Sequence, residues 1–242
     1  VLKHGNPCGV ALSTNQHISY KRALSCDPIS AFGGIVAFNK IVSVKTANLI
    51  SQNFTEIVVA PDFNSSAFNI LSKKKNLILL KYKSSNQKQK IMIRSTRNFI
   101  LIQDRDLLKI RKKALKLVTI KKASKTQIDD LEFSFVVSKY VNSNAIVLSK
   151  NLSTVGIGVG QTNRLDSTKQ CIDRMKLNFK NIKPVLASDG FIPFPDIIEL
   201  CAKNNINAII QPGGSINDSK VIEEANKNKI AVYFTNFRHF KH

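Results

Sequence analysis

Tryptophan is absent from this 242-residue sequence, and acidic side chains are scarce: 16 Asp and Glu stand against 37 Lys and Arg, a formal net charge of +21. Cysteine is scarce too. Cys8, Cys26, Cys171 and Cys201 are scattered without a C-x-x-C pair, which argues against a disulfide framework and for reduced, partly buried thiols in a cytoplasmic protein. No H-x-E, P-C-x-x-C or H-E-x-x-H segment occurs, and Pro7-Cys8 has no second cysteine nearby, so no metal site is expected and zinc least of all. Long apolar runs are missing as well. Ile91-Met92-Ile93 and Ala208-Ile209-Ile210 are far too short to cross a bilayer, so no membrane partner is expected. Val1-Leu2-Lys3-His4 has no initiator Met, basic n-region or h-region and is not a signal peptide. An apolar start running straight into Gly5-Asn6-Pro7 reads as a strand caught at its end, in a truncated chain.

What is present suits a globular protein. Hydrophobic residues make up 43% of the chain, and its length is enough for one large domain or two small ones with real cores. The charge is concentrated: residues 73 to 125 hold 18 Lys and Arg against Asp104 and Asp106, so this stretch alone carries +16. Such a stretch can attract anionic ligands or nucleic acid. Lys outnumbers Arg 29 to 8 and Asn is abundant, a bias that an AT-rich genome also produces. A solvated helical face is the simpler reading, and nucleic acid is not the expected partner.

Three regions follow one another. Residues 1 to about 70 join turn-rich segments to short apolar strands at Gly9 to Leu12, Gly34 to Phe38 and Glu56 to Ala60, with helical spacing from His17 to Ser25 and from Asp62 to Ser72. The lysine-rich middle holds two expected strands, Leu77 to Tyr82 and Phe99 to Gln103, and a loop at Ser84 to Gln87. From Thr126, a segment resembling a capping box opens a helix running to about Val141. Strands at Ala145 to Leu148, Pro184 to Ala187, Asn207 to Ile210 and Ile230 to Phe234 then alternate with helices Asp196 to Asn204 and Asp218 to Lys227. That alternation implies an α/β fold with parallel pairing and right-handed crossovers.

Several segments carry possible chemistry. Lys3 and His4 precede the Gly5-Asn6-Pro7 turn. A histidine exchanges protons near neutral pH, and a neighbouring ammonium stabilises negative charge; adjacent strand residues, however, point to opposite faces. Gly156-x-Gly158-x-Gly160 follows a strand, but Gln161 stands where the dinucleotide fingerprint needs its last glycine, so that reading fails. Glycines beside Gln161, Asn163 and Arg164 suggest backbone approaching a ligand, with Arg164 free for an anion. Pro212-Gly213-Gly214-Ser215 leads into a helix and reads as a tight turn, with Asn217 or Asp218 as cap, more than as a phosphate site. Phe191-Ile192-Pro193-Phe194 beside Asp196 fits either a flat heteroaromatic ligand or a loop packed on the core. The last eight residues interleave aromatics with Arg238, His239, Lys241 and His242, which favours docking into a site.

Leu2-Lys3-His4-Gly5-Asn6-Pro7-Cys8-Gly9, Asp27-Pro28-Ile29-Ser30-Ala31-Phe32-Gly33-Gly34, Ser143 to Val147, Gly156 to Arg164, Ala187 to Phe194, Gln211 to Ser215 and Arg238 to His242 occur in that order. Together they resemble the formyltransferase domain of the bifunctional purine-biosynthesis family, the aminoimidazole carboxamide ribonucleotide (AICAR) transformylases. The likeness spans nearly the whole chain and is poorest over residues 73 to 125. It implies transfer of a formyl group from 10-formyltetrahydrofolate to the 5-amino group of AICAR. His4 then matches the base, Lys3 the cation that stabilises the oxyanion and assists N10 as it leaves, and Asn144 a residue that orients the reactants. Arg164, Phe191 and Arg238 match positions that hold the nucleotide, and Asp196 one near the folate.

The resemblance further implies two zinc-free, cytidine-deaminase-like three-layer α/β units with mixed and parallel sheets, at residues 1–110 and 111–242. It implies a homodimer with shared sites, allows a monovalent cation such as potassium, and places the IMP cyclohydrolase domain and the start of the transferase domain outside this chain. On that reading the chain alone binds AICAR poorly and is nearly inactive. The sequence departs from the family's pattern at Asn142, where Lys is common, at Phe133-Ser134-Phe135, where a Trp is expected, and at Asn98-Phe99, where a Gly-Gly pair is usual. The alternatives are a basic RNA-binding protein using residues 73 to 125, and a catalytically decayed remnant retained for dimerisation.

Overall fold

The structure is a computed structural model that describes residues 1–83, 90–110 and 114–241. The expected loop at 84–87 and the terminal His242 lie outside the described residues. Two mixed sheets and a short ribbon form the α/β architecture, among the described residues. The first sheet runs in the order β2 (Asn6–Pro7), β1 (Leu2–Lys3), β3 (Gly34–Ala37), β4 (Thr55–Ala60) and β5 (Ile78–Lys81). Strands β3, β4 and β5 are parallel, and β1 runs antiparallel to β3. Parallel neighbours need crossovers, which α3 (Val44–Ser51) and α4 (Ser65–Leu71) supply. These helices and α1 (Gln16–Cys26) cover one face, where Tyr20, Ala47, Ile50, Ala67 and Leu71 pack on Val36, Val58 and Ala60. A single turn, α2 (Pro28–Ala31), bridges α1 and β3.

A two-stranded ribbon, β6 (Ile91–Ser95) and β7 (Ile100–Asp104), follows, with Ile93 opposite Ile102. The second sheet then runs β10 (Ser153–Gly158), β9 (Ile146–Lys150), β11 (Val185–Ser188), β12 (Ala208–Gln211), β13 (Ala231–Phe234) and β8 (Lys116–Leu117). The central strands β11, β12 and β13 are parallel, while β9, β10 and β8 join antiparallel. Both faces are covered. Helices α6 (Arg164–Asn178), α7 (Asp196–Lys203) and α8 (Asp218–Lys227) bury Cys171, Ile172, Ile197, Ile198 and Val221 against Ile146, Leu148, Leu186, Ile209 and Val232. On the opposite face α5 (Lys125–Ser138) lays Leu131 and Phe135 on Val185, Ala187, Ala208 and Ile210. Three layers result, and burial on both faces explains why these strands read as continuous apolar runs.

The two sheets share a boundary. Cys26 and Val10 of the first part pack with Phe133, Val137, Val147 and Ile157 of the second. Val10 N donates to Thr154 Oγ1 at 2.9 Å, Thr154 N returns a bond to the Val10 carbonyl at 2.9 Å, and Leu12 N reaches the Leu152 carbonyl at 2.9 Å.

Some elements differ from the sequence expectation. Gly9 to Leu12 forms no strand, only an isolated bridge between Ala11 and Ser153, because Gly9 lies so close under α1 that a side chain there would strike the Ala23 carbonyl. The capping box is real but lies two residues earlier. Ser124 Oγ accepts from Gln127 N at 3.3 Å and Gln127 Oε1 from Ser124 N at 2.9 Å, so α5 starts at Lys125 and ends at Ser138. Helices α3 and α6 and strand β6 were not expected. After α4, Lys74 Nζ donates to the Ser51 and Asn53 carbonyls at 2.5 and 2.8 Å, closing the end of α3.

Candidate active site

Residues Lys3 and Asn6 face each other across a two-residue turn, His4-Gly5, with φ of 50° and 75°. Two consecutive positive φ values are the signature of a hairpin turn whose twist matches its strands. His4 therefore does not belong to the strand, and the alternation that would aim it away from Lys3 does not apply. Both side chains line one cleft of about 380 Å³, with Asn6, Cys8, Asp27, Ser30, Ile157 and Arg174 also on its wall. That volume falls in the range of small-molecule sites, about 300 to 1,000 Å³. Lys3 Nζ donates to the Phe32 carbonyl at 2.6 Å, and His4 is exposed. The two thiols on the wall are poor nucleophiles. Burial raises Cys8 and pushes Cys26 up to about 11 against an opposing hydrogen bond from Thr154, so both stay protonated at neutral pH.

The turn is tied to the second sheet. Asn6 Oδ1 accepts from Asn142 N at 2.9 Å, and Lys241 Nζ donates to the Gly5 carbonyl and, at 3.0 Å, to that of Tyr140. The tail thus docks beside Lys3 and His4. Ser143 N in turn donates to the Lys241 carbonyl at 2.9 Å. Asn144 is half-buried, its Nδ2 donating to the Gln161 carbonyl at 2.8 Å while its own carbonyl accepts from Ser167 Oγ at 2.9 Å. Ser143 Oγ donates to Asp189, whose other oxygen takes Arg164 Nη2 at 2.8 Å. This ion pair is almost wholly buried, with side-chain exposures of 10% for Arg164 and 1% for Asp189. Asp189 O accepts from His239 N at 3.1 Å, which brings Arg238 to the same neighbourhood.

Not every expected residue meets in one place. Arg238 is exposed and stacks on Phe240 at 4.8 Å. It lines a second cleft, about 510 Å³, with Pro212, Gly213, Gly214, Asn236 and Phe237. Phe191 and Phe194 are exposed while Ile192 between them is buried in the core, so the loop packs through one residue and presents two. Asp196 is exposed at the start of α7, accepting from Ile197 N at 2.8 Å. The Pro212 to Ser215 turn is closed by Asp218, which accepts from Gly214 N at 2.7 Å. Two expectations fail here: Arg164 is not free for an anion but paired with the buried Asp189, and Gly156 and Gly158 face no ligand. The backbone they admit is that of α6, not a ligand: a Cβ at either would strike the Cys171 or Ser167 carbonyl.

Sequence reading missed Arg174 and Asp27 as cleft residues. The signal was Asn163-Arg164-Leu165-Asp166, a reciprocal cap in which Asp166 N donates to Asn163 Oδ1 at 2.7 Å and Asn163 Nδ2 to Asp166 at 2.6 Å. It starts a helix that carries Arg174 about 15 Å beyond Arg164. Among the described residues no group of three or more His, Cys, Asp and Glu could hold a metal ion, and no described helix is long and apolar enough to cross a membrane.

The model of the AICARFT/IMPCHase bienzyme family matches residues 1–174. The chain belongs to that family. Three bifunctional purine biosynthesis proteins PurH agree across its whole length: that of Thermoanaerobacter sp. (strain X514), 48% identical over 241 residues; that of Persephonella marina, 47% over 245; and that of Aquifex aeolicus, 42% over 243. In each case the chain spans about half of the relative, 47% of its length. Membership of the bienzyme family covers the Lys3-His4 turn, Asp27, Asn144, Arg164 and Arg174, all of which lie in the matched segment.

Proposed function

We propose that this chain carries the formyl-transfer half of a bifunctional purine-biosynthesis enzyme, passing a formyl group from 10-formyltetrahydrofolate to the 5-amino group of AICAR. The observation that supports this best is the left-handed His4-Gly5 turn, which puts an imidazole and an ammonium on the wall of one cleft. The amine nitrogen attacks the formyl carbon and its proton goes to His4. Lys3 stabilises the negative charge that develops on the formyl oxygen. Collapse breaks the bond from carbon to N10, which leaves as the secondary amine after taking a proton. Positioning two bound reactants supplies much of the acceleration of such a bimolecular step. In this reading Asn144 orients the reacting groups, Arg164, Phe191 and Arg238 hold the nucleotide, and Asp196 lies by the folate.

The wider proposal has two deaminase-like units, residues 1–110 and 111–242, in a cytoplasmic homodimer whose complete chain also has IMP cyclohydrolase activity. Open apolar surface supports association: Ile93, Ile100 and Ile102 on the ribbon are each more than 60% exposed, as few monomers allow over a contiguous patch.

Formyl transfer to AICAR by the full-length protein tests the reading. His4→Ala and Lys3→Met are each expected to lower kcat by at least about a hundredfold with the folded structure intact by circular dichroism. Undiminished transfer in either variant would overturn the assignment of that residue, and no transfer by the unsubstituted protein would overturn the activity.

A further inference from the structure

Arg174 belongs to the helix layer of the second sheet, yet its guanidinium lines the cleft of the first. Nη1 pairs with Asp27 and lies 3.5 Å from Ser30 Oγ. Asp27 is also the cap of α2, its Oδ1 accepting from Ser30 N at 2.9 Å. That turn has four residues, too few to hold itself by internal hydrogen bonds. It ends at Phe32, whose carbonyl receives Lys3 Nζ at 2.6 Å. On its far side there is no slack, because a Cβ at Gly34 would come within 2.9 Å of the Ala31 and Leu2 carbonyls. The turn is thus held between β1 and the pair that Arg174 makes with its cap.

We infer that Arg174 and Asp27 are positioning residues for Lys3. Each acts through another residue rather than on the substrate. Arg174 fixes Asp27, Asp27 fixes α2, and α2 presents the carbonyl that aims the ammonium. The arrangement also makes the aim of Lys3 depend on how α6 sits against α2, since Arg174 is anchored on one sheet and Asp27 on the other. The inference rests on the formyl-transfer reading only for its kinetic consequence.

The test uses the full-length protein with Arg174→Met, Arg174→Lys and Asp27→Asn. Arg174→Met and Asp27→Asn should lower kcat for formyl transfer about tenfold, with KM for AICAR and for the folate within about twofold, because a small misplacement of a catalytic group acts on the transition state more than on ground-state binding. Arg174→Lys, which keeps a cation for Asp27, should recover most of the rate. Unchanged kcat in both variants overturns the inference. So does a rise in KM alone, which would make Arg174 a substrate contact, or failure of lysine to rescue. Should Arg174→Met not fold, Asp27→Asn carries the test, since asparagine remains a good cap. A crystal structure of either variant reads the contact without catalysis: Lys3 Nζ still on the Phe32 carbonyl overturns the inference even in a protein with no transfer activity.

Discussion

Among single residues, His239 has the most unusual surroundings. It is 2% exposed, its ring lies 4.7 Å from that of Phe135 and 5.4 Å from that of Phe237, and Nδ1 is hydrogen-bonded to Asp106. Burial lowers its basicity, and the carboxylate of Asp106 opposes this without reversing it. Asp106 feels the same burial upward, yet the hydrogen bonds from His239 and Lys139, with the charge His239 takes on when protonated, outweigh it and hold the carboxyl below its ordinary value. The charge of Lys139, whose Nζ lies 3.1 Å from Asp106, lowers His239 further, so the ring is neutral at neutral pH and donates from Nδ1 to the carboxylate. The sign of the pH effect follows. A histidine depressed in the folded state leaves the unfolded chain binding the proton first, so stability is full above about pH 6.5 and is lost as pH falls from there towards the folded value, by up to about 1.4 kcal/mol per pH unit. Urea midpoints measured from pH 8 to pH 5 should fall in the parent and fall less steeply in His239→Asn. An identical slope in both would remove His239 from the account.

At the scale of elements, the contact of α6 with β10 shows what a pattern of residues conveys and what it leaves out. Gly156-x-Gly158 was legible as a place where something comes close, and what comes close is a helix, with Ser167 Oγ 2.6 Å from where a Cβ on Gly158 would be. Gly158→Ala should therefore push α6 off β10 and cost about 1 to 3 kcal/mol, the usual range for overpacking. A thermal midpoint within a degree of the parent would show that the helix yields freely. Helices α1, α7 and α8 and strands β3 and β4 were readable because each buries a face whose period the sequence repeats, and β12 and β13 because burial on both faces leaves short continuous apolar runs. Helix α6 escaped because most of its face is polar: Arg164, Asp166, Lys169, Asp173 and Lys176 surround a thin line of Cys171, Ile172 and Met175. Strand β6 escaped because its alternation serves no described core; Ile91 and Ile93 are exposed. The Lys3-His4 pair was legible as a motif, but its cleft was not. Ile157 and Arg174 come to it from more than 150 residues away in the chain, through a boundary between sheets that no local period encodes.

For the whole molecule, that boundary decides whether the two sheets behave as one body or two. Their contacts are of three kinds. Apolar packing joins Cys26 and Val10 to Phe133, Val137 and Ile157. Backbone bonds link Val10 and Leu12 to Thr154 and Leu152. Polar side chains add Asn6 to Asn142 N, Asn178 Nδ2 to the Cys26 carbonyl at 3.2 Å, and the ion pair of Arg174 with Asp27. Unfolding of one sheet alone would break these bonds and expose the apolar residues packed at the boundary, where full burial of a Val, Ile or Phe side chain is worth about 1.5 to 3 kcal/mol. With several of them, partial unfolding would forfeit a large share of a typical stability of about 5 to 15 kcal/mol. The sheets should therefore unfold together. Urea titration followed by hydrogen exchange at Val58 in the first sheet and at Ile209 in the second is expected to give one midpoint. Two midpoints separated by more than about 0.5 M, at the urea sensitivities typical of domains this size, would mean that one sheet melts while the other stands, and that the Lys3-His4 cleft at their boundary is lost with the weaker of the two.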